Sequence, residues 1–73
     1  MRLLLVEDDS LLAQGLITAL SRIHYRTEHC ITGSQAIVAA TSSGFDVIIL
    51  DLGLPDGLAL HVIKTLRAKK VTG

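Results

Sequence analysis

Glu7, Asp8 and Asp51 are the residues of this chain whose type and placement could do chemistry. The first two follow the apolar run Leu3-Leu4-Leu5-Val6, and Asp51 follows Val47-Ile48-Ile49-Leu50. A carboxylate buried beside such neighbours is costly unless paired or neutralised. At the mouth of a buried strand it is instead poised for reaction. Brought within several ångströms, the three acids would repel one another, and a hard divalent cation resolves that conflict. Magnesium takes one or two carboxylates, a backbone carbonyl and several waters, and leaves room for a phosphate oxygen. A remaining carboxylate oxygen can then act as nucleophile toward a phosphoryl group, with the metal offsetting charge on the transferring oxygens. The plainer alternative is solvated acids at strand ends that only cap helices.

The elements that must position these acids are legible in order. Leu3–Val6 reads as a buried strand. Ser10 can cap a helix carrying Leu12, Leu16, Ala19, Leu20 and Ile23 at helical spacing. Tyr25–Cys30 reads as a more polar edge strand. Ser34 is the expected N-cap of a helix with Ala36, Ile37, Ala39 and Ala40, which gives out at Thr41-Ser42-Ser43-Gly44. Asp46–Leu50 is the third strand. After Pro55-Asp56-Gly57 comes a helix with Ala59, Val62, Ile63 and Leu66 on one face, and with Lys69 and Lys70 in its last turn, where positive charge suits the helix dipole.

The resulting β-α-β-α-β-α alternation implies a parallel sheet joined by right-handed crossovers. Ligands on such sheets bind beyond the carboxyl ends of the strands, where strand order reverses. With strand one between strands two and three, order 2-1-3, the ends bearing Glu7-Asp8 and Asp51 meet at that point.

Composition narrows the alternatives. Seventy-three residues allow one small domain, and chains of this size bury only about 60% of their unfolded surface. A single cysteine, Cys30, excludes an intramolecular disulfide, and no Cys/His spacing reads as a zinc site. Hydrophobic residues make up 49% and aromatics 3%, which suits aliphatic strands covered on both faces. Seven basic and seven acidic residues balance, so no global field recruits nucleic acid or an anionic membrane. The opening MRLLLV is too short for a signal-peptide core, and no apolar stretch is long enough to span a membrane. A lone cysteine and no export signal favour the cytoplasm.

The motifs LLLVEDD and DVIILDLGLPDG resemble the receiver domain of bacterial two-component response regulators, closest to those that carry a winged-helix DNA-binding domain after the receiver. The resemblance covers essentially all 73 residues and implies a flavodoxin-like α/β fold. It implies that Asp51 accepts a phosphoryl group from the histidine of a sensor kinase, and that Glu7 and Asp8 hold Mg2+. Asp8 would be a direct ligand, with Glu7 acting through water. The Gly53 carbonyl would be a further ligand, Pro55 and Gly57 would shape the loop, and Asp9 would serve the start of the helix. Such a protein is a signalling acceptor and not an enzyme with turnover.

Departures accompany the resemblance. Leu58-Ala59 stands where a second Asp-Gly is usual, and His24 where a glycine is common. The chain reads as a partial receiver, residues 1–73, about the first three-fifths of one. It lacks the later units that contribute a Ser or Thr and a Lys, and no DNA-binding domain follows. On that reading Val47, Ile48, Ile49 and Leu50 would form an exposed apolar edge. The alternative function is therefore a receiver-derived interaction module, a homodimer or a partner-strand complex through that edge, with no working phospho-switch.

Other classes fit less well. A magnesium-dependent phosphohydrolase of the haloacid dehalogenase type needs a second Asp where Gly53 stands, and no G-x-G-x-x-G follows strand one for a dinucleotide. His24, His29 and His61 fit no ligand motif and read as surface or loop residues. Cys30 reads as a packing residue. Lys64, Arg67, Lys69 and Lys70 read as a solvated helix end without the aromatic or arginine platform of a nucleic-acid site.

Overall fold

The computed structural model describes residues 1–42 and 44–68. Its elements are β1 (Arg2–Val6), α1 (Ser10–Arg22), β2 (Arg26–Cys30), α2 (Gly33–Ser42), β3 (Val47–Leu50) and α3 (Ala59–Ala68). Both neighbours of β1 run parallel to it, as alternating strands and helices require, and the order is β2-β1-β3, with strand one in the centre. Lys69 and Lys70, expected in the last turn of α3, and the tail through Gly73 lie outside the described residues, as does Ser43.

β1 is the centre of the molecule because its apolar run serves two faces. Leu4 and Val6 pack on one side with Ala36 of α2, Leu54, and Ala59 and Val62 of α3. Leu3 and Leu5 face the other way, against Ala13 of α1, with Leu16, Ile17, Leu20, Tyr25 and Val47 around them. Side chains alternate across a strand, so an unbroken run of four aliphatics can be buried only if both faces are covered. Arg2 closes the opposite end of the sheet. Its backbone N–H donates to Asp46 Oδ2 and its guanidinium to the Gly44 carbonyl, both at 2.8 Å, while the guanidinium also lies 4.7 Å from the Phe45 ring centroid.

Four local expectations are corrected. The face of α1 turned to the sheet is Ala13, Leu16, Ile17 and Leu20, whereas Leu12 and Ile23 are 51% and 62% exposed. α1 is apolar around more than one face, so periodicity alone does not select its inner side. Ala13 is the residue of α1 buried with Leu3 and Leu5, at 1% exposure. The α1 cap is Asp9, whose Oδ1 accepts the Leu12 N–H at 3.1 Å, and Ser10 is the first helical residue. At α2 the capping side chain is Thr32, which accepts the Gln35 N–H at 3.2 Å, in place of Ser34. Strands two and three are also one residue shorter than read, since Tyr25 and Asp46 lie just outside β2 and β3, and strand one is one residue longer, starting at Arg2.

The end of α1 explains the histidine in a glycine position. His24 N–H donates to Ser21 O and Tyr25 N–H to Leu20 O, each at 3.1 Å. This is the paired-bond helix stop whose first non-helical residue adopts a left-handed backbone. His24 has φ +67°, a conformation that glycine reaches freely and other L-residues reach at a cost. Tyr25 and Leu20 both pack against the α1-side core.

Candidate functional site

Both acidic positions stand one residue beyond a strand, and the ladder holds them there. Glu7 N–H donates to Cys30 O and Asp51 N–H to Val6 O, each at 3.0 Å. Glu7 and Asp51 are therefore rigidly placed at the carboxyl ends of β1 and β3. The Glu7 side chain is buried at 9% exposure, and its Oε1 accepts the Asp9 N–H at 3.1 Å. That bond turns the chain into α1, where Asp9 takes over as cap. Asp8 is exposed, and its carboxylate takes part in no hydrogen bond among the described residues.

Asp51 is half-buried, and its Oδ1 accepts the Gly53 N–H at 2.9 Å. A carboxylate accepting the amide two residues on closes a local turn, and it leaves Oδ2 free of protein donors among the described residues. One carboxylate oxygen each from Glu7, Asp8 and Asp51 lies within 4.8 Å of the others. At that separation each pair of charges repels by about 1 kcal/mol in bulk water and about 3 kcal/mol at the screening typical of a protein surface. An all-oxygen donor set of this size, with one free carboxylate and one turn-bonded carboxylate, fits a hard divalent cation.

The loop that follows is anchored at several points. Leu54 is 5% exposed in the core, and Gly57 takes φ +68°. Asp56 reaches back to α2, where its Oδ1 accepts Gly33 N–H at 3.1 Å and its Oδ2 accepts Ser34 N–H at 3.0 Å. These bonds, that of Ser34 foremost, hold the Asp56 carboxyl below its ordinary range. The sequence offers no local signal for this role, because the partners stand 22 and 23 residues upstream.

The remaining candidates take supporting places. His29 is exposed on β2, and its Nε2 lies 2.7 Å from the Glu7 carbonyl oxygen. His24 and His61 are exposed and belong to no candidate ligand set among the described residues. Cys30 is half-buried in β2, and burial, with the Glu28 charge, pushes its thiol up. That direction suits packing and opposes nucleophilic use.

A parallel α/β sheet with a cluster of acidic oxygens where its strand order reverses defines a doubly wound protein, and that point is where such folds place their ligands. The family comparison makes this specific, because the model of the response regulator receiver domain matches residues 3–73. The chain belongs to the response regulator receiver family. It is 40% identical over 72 residues to the transcriptional regulatory protein BasR of Escherichia coli K12, covering 99% of this chain and 32% of BasR. Identity to the transcriptional regulatory protein PmrA of Pectobacterium parmentieri is 48% over 62 residues, covering 82% of this chain and 28% of PmrA. Among solved structures, the non-phosphorylated HemR receiver domain of Leptospira biflexa superposes with a TM-score of 0.88 at 38% identity, covering 94% of this chain and 56% of that one. The chain thus spans about a third of the length of these curated relatives. Receiver domains of this family take phosphoryl groups from sensor histidine kinases and bind Mg2+ in an acidic pocket. Among the described residues no helix is long and apolar enough to cross a membrane.

Proposed function

We propose that this chain is the phospho-accepting part of a cytoplasmic two-component response regulator, with Asp51 as the acceptor. The observation that carries the reading is the convergence of Glu7, Asp8 and Asp51 within 4.8 Å at the ends of two adjacent strands. Asp8, Asp51 and the Gly53 carbonyl are the groups that would hold Mg2+, with Glu7 acting through water. When bound, the cation offsets charge on the transferring phosphoryl oxygens. The chain's own residues supply the nucleophile and its aim. The Gly53 N–H holds Asp51 Oδ1, which leaves Oδ2 to attack phosphorus. The bond from phosphorus to the donor histidine nitrogen breaks, and that nitrogen keeps the electron pair. Asp51 thereby becomes an acyl phosphate. Turnover is not part of this role, and no direct contact with nucleic acid or membrane is assigned to the segment.

The test is intact-mass measurement after incubation with acetyl phosphate and MgCl2. One added phosphoryl group is expected on the wild-type chain and none on Asp51→Asn. A wild-type mass that stays unmodified would refute the assignment.

A second reading is favoured by the outer edge of β3, which pairs only with β1 among the described residues and carries Ile49 at 37% exposure. Unpaired strand edges recruit other strands. The occupant is a second copy of the chain or a partner strand along Val47, Ile48, Ile49 and Leu50. Size measurement over a dilution series decides, and a stable folded monomer at the lowest concentration would rule this reading out.

A further inference from the structure

We propose that Asp56 is a positioning residue for the cation site, a tether through which the N-terminus of α2 fixes the loop carrying Gly53. The proposal rests on the assignment of Asp51 and Gly53 given above. Both Asp56 oxygens are committed to α2, through Gly33 N–H and Ser34 N–H, and Oδ1 also accepts Leu58 N–H at 3.3 Å. The first amides of a helix have no partner within it and carry the positive end of its dipole. A carboxylate bridging two of them makes charge-assisted bonds, here at 3.1 and 3.0 Å.

The helix is built to receive this loop. A Cβ on Gly33 would stand 2.7 Å from Leu58 Cβ and 3.1 Å from Asp56 Oδ1, so the loop occupies the space that any other residue would fill. On the other side of Asp56, Leu54 is sunk in the core against the same helix through Ala36. Residues 54 and 56 are thus both pinned, and Gly53 lies between them and Asp51, whose own amide is held by β1. The segment from 51 to 56 is consequently fixed at both ends. Its freedom at Gly53 is limited by the Asp56 tether together with buried Leu54, although Asp56 does not belong to the acidic cluster itself.

The experiment uses the isotope-labelled chain, MgCl2 as the probe, and three variants, Asp56→Ala, Asp56→Asn and Ile17→Val. Ile17 lies in the α1-side core, so its variant reports what mild destabilisation alone does. Without metal, Asp56→Ala should release the Gly33 and Ser34 amides and also move the Gly53 amide resonance. In MgCl2 titrations its affinity should fall about tenfold, the lower end of the effect of groups that hold metal ligands in place. Asp56→Asn, which keeps one acceptor oxygen, should fall between Asp56→Ala and wild type. Ile17→Val should bind like wild type.

The proposal is overturned if Asp56→Ala frees the α2 amides yet leaves the Gly53 resonance and magnesium affinity unchanged. It is also overturned if Ile17→Val weakens magnesium equally. Should Asp56→Ala not fold, Asp56→Asn carries both readouts. If the wild-type chain binds no magnesium, the site assignment above fails, and the metal-free Gly53 resonance alone decides the tether.

Discussion

Gly15 and Gly33 both belong to helices, and alanine at each should move stability in opposite directions. Gly15 lies within α1, and an added Cβ there meets nothing within 4 Å. Alanine at that position gains helix propensity and restricts the unfolded chain, for about 0.5–1 kcal/mol of added stability. Gly33 opens α2 and would gain no more than that. Its Cβ, however, would lie 2.7 Å from Leu58 Cβ and 3.2 Å from the Leu58 carbonyl carbon. Carbon atoms rest at about 3.5–4.0 Å, so Leu58 would have to retreat by roughly 1 Å. It has little room to do so, because Asp56 ties the loop to Gly33 itself and Ala59, the next residue, is 4% exposed. Overpacking of this kind costs about 1–3 kcal/mol. Set against the propensity gain, Gly33→Ala should be less stable than wild type by about 1–2 kcal/mol. Urea unfolding reads the difference directly. With a slope of about 1 kcal/mol per molar for a chain this small, the Gly15→Ala midpoint should rise by about 0.5–1 M and that of Gly33→Ala fall by about 1–2 M. If both midpoints rise together, the loop is not seated closely on α2 at Gly33, and Asp56 does not hold it there.

Three further outcomes follow from the same structure. His24→Gly should stabilise the chain by about 0.5–1 kcal/mol, since the left-handed backbone costs a non-glycine residue about 1–2 kcal/mol and glycine's greater unfolded freedom returns part of it. His24→Ala should match wild type in the same urea assay, and a glycine variant no better than the alanine variant would contradict the strain at φ +67°. Thr27 Oγ1 is buried without a hydrogen-bond partner among the described residues. An unmet hydroxyl costs about 1–3 kcal/mol, so Thr27→Val should raise the thermal midpoint by several degrees, and a lower midpoint would mean that the hydroxyl is satisfied. Asp56 gives a pH dependence. Its folded carboxyl titrates below the ordinary 3.8 because the Ser34, Gly33 and Leu58 amides favour the charged form. The stability it adds is complete above pH 3.8 and is lost as pH falls through the folded value. Ser34 and Gly33 amide shifts followed against pH should turn below 3.8, and a midpoint at or above that value would remove the tether's charge-assisted character.

The sequence by itself determined the alternation of strands and helices, the two aliphatic runs, and the acids that end them. Those are properties of neighbouring residues. A run such as Leu3–Val6 can be satisfied only by covering both faces, and an acid after such a run must stand at the strand's mouth. Glu7-Asp8 meets Asp51 only with strand order 2-1-3, and the pairing of β1 with both neighbours establishes that order, because right-handed crossovers fix the hand of each connection and not the order. What the tertiary structure alone decided are the contacts between residues far apart in sequence. α1 is apolar on more than one side, so only its docking against Leu3 and Leu5 shows that Ala13 and Ile17 face inward and Leu12 outward. Ser34 has a capping side chain, yet its N–H is taken by Asp56 from 22 residues away, while Thr32 does the capping. Nothing beside Gly33 in the sequence signals that Leu58, 25 residues on, lies against it. Strand ends and turns are set by local backbone chemistry. The helix face that is buried and the loop that is held are set by which surfaces meet when the chain closes, and no window of sequence contains both partners.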